Sequence, residues 1–162
     1  AEVVGSLRSG LLMKHLDIDL HIYSPAPLRV ADSFAAAARI AERPGIRRME
    51  YGNLLDAEDC CLEWPAQYED RDGRMWQSDL IHMAEDSPWA GYFERVADRV
   101  AAVLTPETRD TILQLKYETP DEEHIPGIAY YRAVLEGGVR NCAEFMAWLQ
   151  EHPVDGIVAW MP

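Results

Sequence analysis

The stretch GSLRSGLLMKHLDIDLHIY, residues 5–23, decides how this sequence is read. It opens on a glycine-serine pair and closes on an alternating run, DIDLHIY, whose period of two is that of a strand. Alternation puts Ile18, Leu20 and Ile22 on one face and Asp17, Asp19, His21 and Tyr23 on the other. Asp17 and Asp19 then point the same way, about 7 Å apart along the chain by strand rise. Two like charges held that close repel unless a cation lies between them. Magnesium takes oxygen ligands and usually keeps phosphate oxygens in its shell.

A third carboxylate from another strand would complete a two-metal clamp for in-line phosphoryl or nucleotidyl transfer. Asp79, in WQSDLIH, is the candidate: its strand-like neighbours are apolar, and a charge buried there needs a reason. The Gly5-Ser6 turn supplies the other half. Glycine lets backbone N–H groups approach a phosphate, and the start of the helix that follows favours anions. Ser6 can donate a hydroxyl hydrogen bond to a phosphate oxygen. Arg8 can neutralise triphosphate charge, as can Lys14 from the far end of the short helix predicted over residues 6–13.

Working outward, residues 2–4 form a short apolar strand that stops at Gly5. PAPLRVADSFAAAARIAERPG reads as a helix burying Val30, Phe34, Ala37, Ala38 and Ala41, and stopped by Pro44-Gly45. IRRMEYG, CCLEWPAQYED and RMWQSDLIHMA read as strands, the last two joined at a hairpin around Asp72-Gly73. Pro65 assigns the first of that pair to an edge or a bulge. Beyond about Pro88 the pattern is helical throughout. One of these helices is capped by Thr105 with Pro106 at its first position, and two others are separated by Gly137-Gly138. The expected organisation is an α+β domain over residues 1–88 followed by a helical region over residues 89–162.

The formal net charge is −13. Such a surface repels a nucleic-acid backbone and disfavours a long nucleic-acid partner unless a local basic groove exists. The three cysteines, two of them adjacent, do not suggest a disulfide framework, and the expected compartment is the reducing cytoplasm. No apolar run approaches the roughly 18 residues of a membrane span. The chain starts at Ala1 and enters its informative segment almost at once, so residues preceding it in a longer product are expected.

A Gly-Ser pair, ten residues, then Asp-hydrophobic-Asp-hydrophobic resembles the signature of the DNA polymerase beta-like nucleotidyltransferase superfamily. The resemblance implies a mixed sheet flanked by helices, with a helical C-terminal part as in the small members that modify antibiotics, proteins or RNA ends. It implies magnesium, two ions, held by Asp17, Asp19 and Asp79, which are also the catalytic residues. It implies a nucleoside triphosphate such as ATP on Gly5, Ser6 and Arg8. The acceptor it suggests is the hydroxyl of a small molecule, aminoglycoside-like among others, with a protein hydroxyl next. Acceptor clefts in small members are often completed by a second subunit, which leaves room for a homodimer. Two alternatives stand beside the small-molecule reading. One is a protein-modifying or toxin–antitoxin nucleotidyltransferase; the other is a nucleotide-binding protein of the same fold without turnover.

Other residues have competing readings. His15 and His21 flank the aspartates and permit a transition-metal site, but surface histidines, or histidines beside a magnesium site, are the simpler reading. Glu63 reads as a solvated edge-strand residue rather than an extra acid at the site. Trp64, Tyr68 and Trp76 suit core packing better than stacking on a base. Lys116, Tyr130, Tyr131 and Arg132 could reach across from the helical half. A helix-surface lysine and core tyrosines are slightly preferred. Cys60 and Cys61 read as buried small hydrophobes.

Overall fold

In the computed structural model, which describes every residue except residue 155, the chain alternates at first and then becomes helical. The order is β1 (Glu2–Val3), α1 (Gly5–Arg8), β2 (Asp17–Ser24), α2 (Val30–Ala41), β3 (Ile46–Met49), β4 (Gly52–Leu54), β5 (Cys61–Glu69) and β6 (Met75–Ala84). Then come α3 (Tyr92–Val103), α4 (Pro106–Glu118), α5 (Gly127–Leu135) and α6 (Cys142–Glu151). Among the described residues no helix is long and apolar enough to cross a membrane.

The strands make one mixed sheet in the order β1-β2-β6-β5-β3, with β4 also paired to β5. β2 and β6 run parallel, and the β5–β6 hairpin is antiparallel, as the Asp72-Gly73 signal predicts. Register decides what shares a face. Asp19 lies opposite Asp79, and Asp79 opposite Pro65, so Asp17, Asp19, His21, Asp79, Ile81 and Glu63 occupy one face. Leu20, Trp64 and Leu80 belong to the other, where α2 covers them through Ala37.

The helical half packs on the aspartate face. Its core holds Val100, Ile112, Leu115, Ala133, Val134 and Phe145, all at most 2% exposed. Leu11, from the segment after α1, is fully buried in that same cluster. The strand-turn-strand unit and the helices are thereby anchored to one another beside the cleft.

Three local expectations are corrected. The helix predicted over residues 6–13 is one turn, Gly5–Arg8; Gly10 at φ +73 lies beyond it, a backbone geometry that right-handed helix does not adopt. Pro65 is not on an edge strand, because β5 pairs on both sides. Its carbonyl accepts from the Glu50 N–H at 2.8 Å, so its nitrogen faces the same side, at the break between β3 and β4, where a donor is dispensable. The buried stripe of α2 is Ser33 and Ala37, while Val30 and Phe34 are 37% and 46% exposed.

Ser33 is buried because it is wired. Trp64 Nε1–H donates to Ser33 Oγ at 2.9 Å, and Ser33 bonds His82 Nδ1 at 2.9 Å. His82 Nε2 in turn bonds Ser24 Oγ at 2.8 Å. Ser33→Ala strands two polar groups in the core. The expected loss is about 2–3 kcal/mol in urea unfolding, with the midpoint falling and the slope unchanged.

Candidate active site

The parallel register of β2 and β6 brings together what the sequence separates by sixty residues. Asp17, Asp19 and Asp79 each offer a carboxylate oxygen, all within 4.8 Å of one another. Burial, then the charges of Asp17 and Asp79, push Asp19 up to about 6, against the pull of Lys116. Asp17 is raised by burial and by Asp79. Asp17 Oδ1 is buried with no hydrogen-bond partner among the described residues. Three acceptor-only oxygen donors, mutually repelling and one of them orphaned, fit a hard divalent cation such as magnesium. No histidine or cysteine joins the group, so the set does not suit zinc.

Gly5 touches this cluster. It sits at φ +61, and a Cβ there would lie 1.9 Å from Asp19 Oδ2. The next residue, Ser6, receives Lys116 Nζ–H at 2.8 Å and bonds the Tyr131 hydroxyl at 2.9 Å. Lys116 also donates to the Leu11 carbonyl at 3.0 Å. Gly127 closes this corner: a Cβ there would come within 3.0 Å of the Tyr131 hydroxyl and 3.4 Å of Ser6 Oγ, a tight fit. Lys116 and Tyr131 thus stand at the turn, where the sequence reading slightly preferred a surface lysine and a core tyrosine. Their signal was the Lys on α4 and the Tyr on α5 of the helical half, but only tertiary packing selects them from their neighbours. Tyr130 is core, stacked on Phe145 at 4.6 Å, and Arg132 pairs with Glu136.

Arg8 faces elsewhere. Its guanidinium grips Asp98 through two hydrogen bonds of 2.7 and 2.8 Å and reaches the Val3 carbonyl, and it does not line the cleft. Lys14 is likewise engaged, with the Thr119 carbonyl at 2.6 Å and Asp121 at 2.7 Å. His15 is exposed near Asp121. Trp64 is core, and Trp76 donates to Asp70 at 3.0 Å. Cys61 is buried and its thiol is pushed up to about 12, mainly by burial, whereas Cys60 is only half-buried.

The cleft between the sheet and the helices has a volume of about 640 Å³. Gly5, Ser6 and Tyr131 line one end, the aspartates its floor, and Glu63, His21 and Phe93 the other side. Glu63 is therefore no solvated edge residue: it lies on an internal strand and looks into the cleft.

Strand-turn-helix-strand, a DxD pair in parallel register with a third aspartate, and helices closing over them make up a mixed-sheet α+β fold that is shared with solved nucleotidyltransferases. The chain is similar to Cid1 poly(U) polymerase bound to magnesium and 3′-dATP, at 15% identity and a TM-score of 0.56, over 83% of this chain and 41% of that one. It is also similar to a cytoplasmic RNA terminal U-transferase, at 18% identity and a TM-score of 0.53, over 83% of this chain and 40% of that one. The chain spans about two-fifths of the length of these structures. No family model and no curated protein matches the sequence.

Proposed function

We propose that this protein is a magnesium-dependent nucleotidyltransferase, moving a nucleoside monophosphate from a nucleoside triphosphate to an acceptor hydroxyl. The observation that carries the reading is the triad of Asp17, Asp19 and Asp79 converging beside the Gly5-Ser6 turn. Residues 1–88 are the catalytic region in this reading, and residues 89–162 close the cleft. Magnesium, two ions on these carboxylates, supplies charge neutralisation on the phosphates and acidifies the acceptor hydroxyl when bound. The backbone N–H groups of the turn and the Ser6 hydroxyl hold the β- and γ-phosphates. Lys116 and Tyr131, already on Ser6, add a cation and a donor there. Arg8 would have to leave Asp98 to contribute. In this reading Asp79 takes the acceptor proton as general base while the oxygen attacks the α-phosphorus and pyrophosphate departs.

A small-molecule hydroxyl is the proposed acceptor, in keeping with the net charge of −13. An RNA 3′ end is the second reading, favoured because the similar structures are a poly(U) polymerase and an RNA terminal U-transferase. A protein hydroxyl, or a toxin–antitoxin role, would show as self-labelling or partner labelling. The three unpaired cysteines suit the cytoplasm.

The test is incubation with magnesium and each labelled triphosphate, alone and with RNA and hydroxyl acceptors. No triphosphate binding in magnesium would overturn the reading; binding without transfer to any acceptor would favour a nucleotide-binding protein without turnover. Lys116→Met is expected to raise the KM for triphosphate by about tenfold or more, the worth of a charge-assisted hydrogen bond. Steady-state kinetics would show kcat changing less than KM.

A further inference from the structure

α2 covers the sheet face opposite the aspartates with Ser33 and Ala37 and turns an apolar face to solvent. Phe34 and Val30, on one flank of the helix, are 46% and 37% exposed. Phe34 is held in place all the same. Its ring stands edge-on to Trp64 at 4.7 Å and tilted against Tyr51 at 4.7 Å. Tyr51 lies 4.9 Å from Trp64 and is itself 40% exposed. Trp64 is fixed from beneath by its Nε1–H bond to Ser33 Oγ. The three rings form a rigid ridge, and covering a ridge already in place costs little side-chain entropy. Beside it Ala31, Ala35 and Ala38, all exposed, run along the middle of the outer face and allow a second helix to approach to about 8 Å between axes.

The charges around this face match their own reversal. Asp32 and Arg39 lie two turns apart on the flank opposite Phe34. They are equally far from the midpoint between Ala35 and Ala36, and so are Arg29 and Glu42, with opposite signs at mirrored positions. Arg39 and Glu42 have no ion-pair partner among the described residues, and Asp32 has only an exposed contact with Arg29 at 3.8 Å. Consider a second α2 laid antiparallel on the first, about a twofold axis through that midpoint. Asp32 then stands beside the partner's Arg39 twice, and Arg29 beside the partner's Glu42 twice. The same axis brings the two Phe34 rings together on the other flank. A parallel arrangement would instead set like charges side by side. Residues 29–42 hold two arginines, one aspartate and one glutamate, hence no net charge, in a chain of −13, so two copies meet here without the repulsion of the remaining surface.

We propose that the outer face of α2 is a homodimer interface. The two helices pack antiparallel through their alanines, with Phe34 and Tyr51 closing one side and the Asp32–Arg39 pairs the other. The occupant is a second copy because the face is complementary to itself; a different partner supplies no reason for opposite charges at mirrored positions. The pairing is independent of the chemistry of the cleft. α2 and the aspartates lie on opposite faces of the sheet, so the two clefts open away from one another and each copy keeps its own site. A second subunit seated here does not complete the cleft, unlike the arrangement that the family resemblance suggests.

The experiment is sedimentation equilibrium of the full chain, from low to high micromolar concentration in moderate salt. Wild type is expected to be a reversible dimer. Phe34→Ser and Ala35→Arg should each raise its Kd about tenfold or more. Asp32→Arg and Arg39→Asp, each alone, set like charges across the twofold and should weaken the dimer to a similar extent. Combined in one chain, the two exchanges should recover most of the loss, because the swapped charges again meet their opposites. Neither misfolding nor a different partner produces that recovery. Far-UV circular dichroism of each variant checks that the chain is folded. A wild type that stays monomeric into the high micromolar range would overturn the interface. A dimer whose Kd ignores Ala35→Arg lies on another face and overturns it too, as does a double exchange that associates no better than the single ones.

Discussion

Asp19→Asn is expected to abolish nucleotidyl transfer, by at least ~10³-fold in kcat/KM, about 4 kcal/mol of transition-state stabilisation. The same change is expected to make the magnesium-free protein more stable. Both follow from one arrangement. Asp19 faces Asp17 along β2 and Asp79 across the parallel pair, and all three bring oxygens within 4.8 Å. Its carboxyl is pushed from 3.8 up to about 6. A carboxyl raised by folding binds its proton more tightly in the native state, so ionising it works against the fold. The penalty is absent near pH 4, grows as pH rises through 6, and is complete by pH 8. Its upper limit is about 3 kcal/mol; solvent access to the cleft and coupling to Asp17 reduce it.

Asparagine removes that charge but supplies no anionic ligand. Thermal unfolding without metal should therefore show Asp19→Asn above wild type at pH 8, with the gap closing by pH 4. Magnesium should raise the melting temperature of wild type most at pH 8 and that of the variant least. A variant that equalled wild type in transfer, or that was less stable at pH 8 without metal, would contradict the arrangement.

The alternation in DIDLHIY and the hairpin signal at Asp72-Gly73 were enough to put Asp17 and Asp19 on one face of a strand and Asp79 on another strand. What they did not contain was parallel pairing of β2 with β6, which sets Asp19 against Asp79 and depends on the order in which strands assemble. The helix after Gly5 was overextended because apolar spacing continues through Met13, while Gly10 turns the backbone to φ +73. Phe34 and Val30 kept the helical period but not the burial. The contact of α2 with the sheet is instead governed by the small Ser33, which can approach Trp64 and His82 closely. Glu63 was misjudged through Pro65: an edge strand follows from proline only when its partner strand is continuous, and here the partner is broken between β3 and β4. Lys116 and Tyr131 lie 110 and 125 residues from Ser6, and no local pattern marks them. Residues whose role is set by periodicity and turn chemistry were legible; residues chosen by long-range packing were not.

Gly5→Ala is expected to disable the site, although it removes no functional group. The position is held at φ +61, where an L side chain costs roughly 1–2 kcal/mol. A methyl carbon there would lie 1.9 Å from Asp19 Oδ2, 2.9 Å from its Cγ and 3.3 Å from its Cβ. Such approaches cannot be absorbed by a rotamer alone, because Asp19 is fixed on β2, whose carbonyl at that residue already holds the Val4 N–H at 2.9 Å. Either the carboxylate swings out of the triad or the turn retreats from β2. Overpacking of this kind typically costs about 1–3 kcal/mol, so a total destabilisation of about 2–5 kcal/mol is expected in urea unfolding. Transfer should fall by at least ~10²-fold through misplacement of the reacting groups. Gly10→Ala separates the two causes. Gly10 also has a positive φ, +73, but nothing lies within 4 Å of where its Cβ would be. It should show the backbone cost without the loss of transfer. Equal activity losses at the two glycines would mean that backbone strain, and not the approach of Gly5 to Asp19, governs the site.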